Sequence, residues 1–276
     1  KILEEDHFLK KNFGSVQLEA FDLYLERLDP NKNIFLSSEL NKFKENISNK
    51  RDIEDNLKVA YDAFKTYGKR YQRRYDLQVN LLNNISENDL RSSKRIIRDR
   101  SKAERLEVIE ELENSWQDLI VNDVIQLMLS GNSVEESAEK TLKRLKNQLN
   151  YFNQTRNEDV FNIYINSISS IYGPHTSYMS PKNTEDFDIN MSLSLEGIGA
   201  LLSPDGPYTS ISSLIPGGPA EKSGLLKPKD KIIGVGQEDD GEIIDVVGWR
   251  LDDVVDLIRG PKDSKVRLKI IPGTSL

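Results

Sequence analysis

The chain has 276 residues, long enough for two ordinary domains, and its hydrophobic share of 37% suffices for a packed core in each. Its 45 acidic and 38 basic residues leave a formal charge of -7, which gives no sequence-wide attraction to phosphate backbones or anionic membranes and argues against a general nucleic-acid binder. Cysteine is absent, which excludes disulfides, thiol nucleophiles and thiolate metal sites. No apolar run approaches the roughly 18–20 residues that span a bilayer. Lys1-Ile2-Leu3-Glu4-Glu5-Asp6 lacks the apolar core of a signal peptide, so a cytosolic protein or a processed, trimmed form is expected.

Up to about Ile171 the sequence is poor in glycine, has a single proline, Pro30, and is rich in Lys, Glu, Leu, Asn and Asp. This composition predicts five to seven helices with short polar joints. Leu18, Phe21, Leu25 and Leu28 recur at helical spacing, and Asp29-Pro30 stops the pattern, because proline disfavours a helical residue before it. A second apolar stripe runs Leu57, Tyr61, Phe64, Gly68, Tyr71, Tyr75, Val79 and Leu82, one face of a long helix. Leu106, Ile109, Leu112, Trp116, Leu119 and Ile120 suggest another helix. Ser133 and Glu136 form a capping-box pair ahead of Leu142, Leu145 and Leu149.

From Tyr172 onward glycines and prolines cluster between β-branched runs, Lys231 to Val235 and Lys265 to Ile271. This is a sheet-containing domain, interrupted by an amphipathic helix that carries Leu251, Val254, Val255, Leu257 and Ile258 between Gly248 and the Gly260-Pro261 stop. The expected fold is therefore α+β in two domains, an all-α domain over 1–188 and a sheet domain over 189–276.

The most informative segment is Ser194-Leu195-Glu196-Gly197-Ile198-Gly199-Ala200-Leu201-Leu202, a glycine-punctuated loop leading into an apolar strand. Such a loop can turn successive backbone N–H groups toward a carboxylate, since glycine admits positive φ and close approach. A tight turn before an edge strand would give the same G-x-G spacing. A helix beside that strand, with Leu251 and Val255 one turn apart, could accept an extended peptide as an added strand and pocket its apolar terminal side chain.

Gly197-Ile198-Gly199-Ala200 resembles the carboxylate-binding loop of PDZ domains, and Leu251 to Ile258 resembles their groove helix. Pro216 to Leu225 and Pro228 to Val235 are similar to the turn and strand between them. The resemblance implies that the N–H groups of Ile198, Gly199 and Ala200 bind a terminal carboxylate, that a tail lies beside Ile198 to Leu202, and that Leu251, Val255 and Ile258 line the pocket. Ala200 stands where many PDZ domains have a bulky aromatic. Pro174-His175-Thr176-Ser177-Tyr178-Met179-Ser180-Pro181, Met191 to Gly199, Gly248 to Val255 and Phe21 to Pro30 further resemble the tail-specific, or carboxyl-terminal processing, proteases. Gly173 departs from that family, which usually has an acidic residue before Pro-His-Thr-Ser.

Membership of that family implies a periplasmic serine endopeptidase with a serine nucleophile and a lysine base, both in a domain after the PDZ domain and so beyond Leu276. This chain is then expected to be inactive by itself and to use no cofactor. It implies a circularly permuted PDZ domain whose last strand also follows Leu276. It implies as partners the C-terminal tails of cell-envelope proteins, with a lipoprotein adaptor or self-association through the helical domain, and a tail that repositions the PDZ domain to permit cleavage. A non-enzymatic PDZ adaptor is the alternative.

Other motifs read more plainly. The S-x-x-K match from Ser137 to Lys140 is expected to face solvent, and His175 to brace the interdomain turn. In Lys69-Arg70-Tyr71-Gln72-Arg73-Arg74-Tyr75 the tyrosines fall on the apolar stripe, leaving the arginines as a solvated face and not a nucleic-acid surface. The mixed-charge run from Lys94 to Arg105 predicts a charged helix or a mobile connector.

Overall fold

The computed structural model describes residues 3, 5, 7–49, 52–86, 89–91, 95–191, 197–261 and 264–273. The chain divides into two compact units, Lys1–Met179 and Ser180–Leu276.

The first unit is helical: α1 Phe13–Leu28, α2 Ser37–Ser48, α3 Ile53–Asn83, α4 Ile109–Leu129, α5 Val134–Asn153 and α6 Asn157–Tyr172. Helix α1 ends where Asp29-Pro30 predicts. Helix α5 opens on the expected box, with the Glu136 N–H donating to Ser133 Oγ and the Ser133 N–H to Glu136 Oε2, each at 3.1 Å. The 31 residues of α3 run through two cores. Its first half, at Val59, Ala60 and Ala63, packs with Phe21, Tyr24 and Leu25 of α1, Ile47 of α2 and Tyr164 of α6. Its last turns, at Leu82, meet Ile120 and Val124 of α4 and Leu145 of α5. Between them Tyr71 stacks on Phe152 of α5 with ring centroids 4.7 Å apart. Gly68 makes the space, for a Cβ there would lie 3.3 Å from the Phe152 ring.

Two charged segments and one serine depart from expectation. Arg70 and Arg74 are not a solvated face: Arg70 donates to the Ile34 carbonyl and pairs with Glu39 at 2.6 Å, while Arg74 reaches the Asn33 side chain. Burial pulls the Arg74 guanidinium below its ordinary value. The loop after α1 folds over that side of α3, and its carbonyls need donors. The described part of the 94–105 run is neither helix nor loose connector. It is an irregular strap, pinned where Arg105 meets the buried Asp29 at 2.5 Å, Lys32 donates to the Ala103 carbonyl and the Ser37 N–H donates to the Leu106 carbonyl. Ser137 is fully buried, not solvent-facing, because it falls on the inner face of α5 with Ala138 and Thr141.

The 173–179 segment is held by other residues than expected. His175 is exposed, whereas His7 Nε2 lies 3.1 Å from Thr176 Oγ1 and the His7 ring stands edge-on to Tyr172. Asn166 on α6 clasps Tyr178, accepting from its N–H at 2.8 Å and donating to its carbonyl at 3.1 Å.

The second unit comprises α7 Pro181–Met191, β1 Ala200–Asp205, β2 Tyr208–Leu214, α8 Pro219–Ser223, β3 Lys231–Gln237, β4 Ile244–Asp245, α9 Leu251–Ile258 and β5 Val266–Ile271. It begins ahead of residue 189 because α7 belongs with it: Lys182 on α7 pairs with Asp256 on α9. All strand pairs are antiparallel. β1 pairs β2, β2 pairs the start of β3, and β3 also pairs β4 and β5. Ile211, Ile232, Val235, Val246, Val254 and Ile258 form the core between the sheet and α9. Among the described residues no helix is long and apolar enough to cross a membrane.

Candidate peptide-binding site

The Gly197–Ala200 loop leads into β1, which pairs only with β2 among the described residues and so presents a free edge. The Ser194-Leu195-Glu196 part of the motif lies outside the described residues. The loop is held by its carbonyls: the Ala220 N–H donates to the Ile198 carbonyl at 2.8 Å and the Ile215 N–H to the Gly199 carbonyl at 2.9 Å. The N–H groups of Ile198 and Gly199 donate to no acceptor among the described residues. With both carbonyls drawn toward the protein, these donors are left to an outside acceptor such as a carboxylate.

The sequence dictates this geometry at two glycines. Gly199 has φ +73, and a Cβ there would lie 3.0 Å from the Gly218 Cα and 3.2 Å from Pro219 Cδ. Gly218 is equally confined, with a Cβ position 3.0 Å from the Ile215 carbonyl oxygen. The loop and the Pro216 to Ala220 turn therefore touch backbone to backbone, which only glycine allows. Glu221 fixes the turn by accepting from the Gly217 N–H at 2.6 Å. The bracing residues Ile215, Gly218 and Ala220 escape motif reading as site residues; their signal is the Pro-Gly-Gly-Pro-Ala run itself.

Along β1 the side chains alternate. Ile198, Ala200 and Leu202 pack half-buried against the core, whereas Leu201 is 58% exposed on the opposite side. Leu201 thus lies in the strand but does not face the groove helix. Helix α9 packs on β1 and β3. It buries Val254 and Ile258, and leaves Leu251 and Val255 half-buried beside that inner face, one turn apart. Ile258 is 5% exposed and belongs to the core, so it offers no surface to a ligand. The helical phase explains this: Val254 and Ile258 share one row of the helix, and Leu251 and Val255 the row beside it. Of the predicted residues, Ile198, Ala200 and Leu202 thus pack on the core that α9 covers, and Leu251 and Val255 lie half-buried on α9, the helix that contacts β1.

The S-x-x-K residues do not come together, since Ser137 points into the core and the Lys140 ammonium bonds Asn132. Among the described residues no group of three or more His, Asp or Glu side chains could hold a metal ion.

Comparison with known proteins follows the same division. Residues 1–182 match the family described as tail specific protease N-terminal domain, and residues 186–271 match the PDZ domain. The tail-specific protease of Haemophilus influenzae is 39% identical over 274 residues, 98% of this chain and 39% of its own length. The carboxy-terminal processing protease CtpA of Bacillus subtilis is 33% identical over 142 residues, 51% of this chain and 28% of its own. Among solved structures, the PDZ domain of the carboxy-terminal protease from Vibrio cholerae, in complex with a peptide, is 60% identical, covering 29% of this chain and 81% of its own with a TM-score of 0.28. The chain spans well under half the length of the curated relatives it matches. By the match over residues 1–182 it belongs to the tail-specific protease N-terminal domain family, and a PDZ domain follows that region.

Proposed function

We propose that these residues are the substrate-recognition part of a periplasmic tail-specific serine endopeptidase, binding the apolar C-terminal tails of cell-envelope proteins. The cleavage itself, by a serine nucleophile and a lysine base, is assigned to residues beyond Leu276. The observation that carries the reading is the loop at Ile198 and Gly199, whose carbonyls are tied to Ala220 and Ile215 while its N–H groups find no acceptor among the described residues, beside a strand edge that none of them pairs. A tail held there extends along β1 as an added strand, and its last side chain enters the space between Ala200 and Val255.

Titration with a fluorescent peptide ending in a free apolar residue tests this. Amidating the C-terminus removes the charge the loop would hold, and affinity should fall by about tenfold or more, the worth of one charge-assisted contact of roughly 1.5–3 kcal/mol. Equal affinity for the free and amidated peptides would show that the loop does not read a carboxylate. For the parent protein, the coding sequence beyond Leu276 should supply a serine and a lysine, and replacing either should abolish cleavage of a tailed substrate.

A further inference from the structure

The outward face of β1 continues into a polar cleft of about 590 Å³ that the groove does not use. Its floor is built by register. Ser203 pairs with Ser210 and Ser210 with Lys231, so the three side chains stand in one row across the sheet on the side away from the core. The register slips between Leu201 and Leu202, leaving Ser212 as an extra residue of β2 whose hydroxyl lies 2.7 Å from that of Ser203. The Lys231 side chain, only 16% exposed, reaches back across β2 over the Tyr208 ring, its ammonium 5.1 Å from the ring centroid and 3.1 Å from Asp205 on β1. A cation rooted in the middle of the sheet is thereby delivered to the edge where a tail would lie. Lys229 lines the same cleft, so among the described residues its charged groups are two cations and one anion.

We infer that this cleft is a second subsite for the bound tail and selects an acidic side chain at the fourth residue from its end; the inference rests on the tail-binding reading above. A tail whose carboxylate sits at Ile198 and Gly199 and which extends toward Asp205 runs antiparallel to β1. Its last residue then lies beside Ala200, the penultimate beside Leu201, the third beside Leu202 and the fourth beside Ser203. Side chains of paired strands alternate together, so the last and third face α9 while the penultimate and fourth face outward with Leu201 and Ser203. At the fourth position a carboxylate meets the Ser203 and Ser212 hydroxyls and shares the Lys231 ammonium with Asp205.

Three tails differing only at that position, with Glu, Ala or Lys, measure the effect on the intact 276-residue chain by fluorescence anisotropy. The Glu tail should bind about fivefold more tightly than the Lys tail, the upper range for a partly exposed ion pair. Lys231→Met should erase the difference. Asp205→Asn, at an exposed carboxylate whose loss should not threaten folding, should widen it, because the ammonium then has no competing partner. Equal affinities for the three tails, with amidation still weakening binding, would overturn the cleft while leaving the carboxylate loop intact. Binding indifferent to amidation would overturn both, and an unchanged or narrowed preference in Asp205→Asn would remove Lys231 from the subsite.

Discussion

Asp29, the residue that ends the first helix, is 2% exposed and fully engaged. Its carboxylate accepts from the backbone N–H groups of Asn33, Ile34 and Phe35 and from Arg105, so one side chain shapes a loop and ties a distant strap to it. Burying the charge is tolerable only because every partner is present. Asp29→Ala should therefore cost on the order of 3–5 kcal/mol, since it strands Arg105 and three backbone donors, two of them buried, measurable by urea denaturation. Gly199 is the corresponding single point of failure in the sheet unit. Gly199→Val would force a β-branched residue to φ +73 and set its Cβ against Gly218. The strain of about 1–3 kcal/mol should appear chiefly as lost tail affinity, about tenfold or more, while far-ultraviolet circular dichroism stays unchanged.

At the scale of elements, helix α3 shows both how far periodicity reads and where it stops. The stripe from Leu57 to Leu82 was visible in the sequence because a helix facing two cores must repeat its apolar residues every three or four positions. Arg70 and Arg74 are covered by the loop after α1 and by Glu39, contacts set by chain segments dozens of residues away that no local pattern encodes. Ser137 and Ile258 are buried for a subtler reason. A small polar residue can occupy an inner helix row, and adjacent rows of an apolar helix differ by too little in sequence to tell core from groove. The aromatic stack on α3 makes a pH prediction. Burial, reinforced by the nearby Asp29 charge, pushes the Tyr67 hydroxyl from 10.0 up to about 12. The raised value means the neutral phenol is the form the fold holds, so its contribution is complete below the unfolded value near 10 and is lost as pH climbs toward 12. Unfolding free energy should be flat from about pH 8 to 10 and then decline, by up to about 1.4 kcal/mol per pH unit from this residue. Tyr67→Phe should make the decline shallower.

At the scale of the molecule, the same chain carries two kinds of core, and the sequence announced both by composition. Glycine and proline are sparse where helices pack on helices and crowd where strands must turn and one backbone must approach another. The glycine loop and the strand it enters are legible because the pattern is local, whereas the polar cleft depends on a register slip and on Lys231 reaching across a neighbouring strand, neither of which any local pattern encodes. Separate cores have a thermodynamic consequence. The aromatic cluster around Phe21, Tyr24 and Tyr164 shares no residue with the one around Ile211, Ile232 and Val254. Each should melt as its own cooperative unit, giving two calorimetric transitions. A tail peptide at about 100 times its dissociation constant should stabilise the unit that binds it by about 2.7 kcal/mol. One transition should therefore move upward with peptide concentration while the other stays fixed, and Asp29→Ala should lower the fixed one alone. A peptide that shifts both equally would show that tail binding is linked to the helical unit as well.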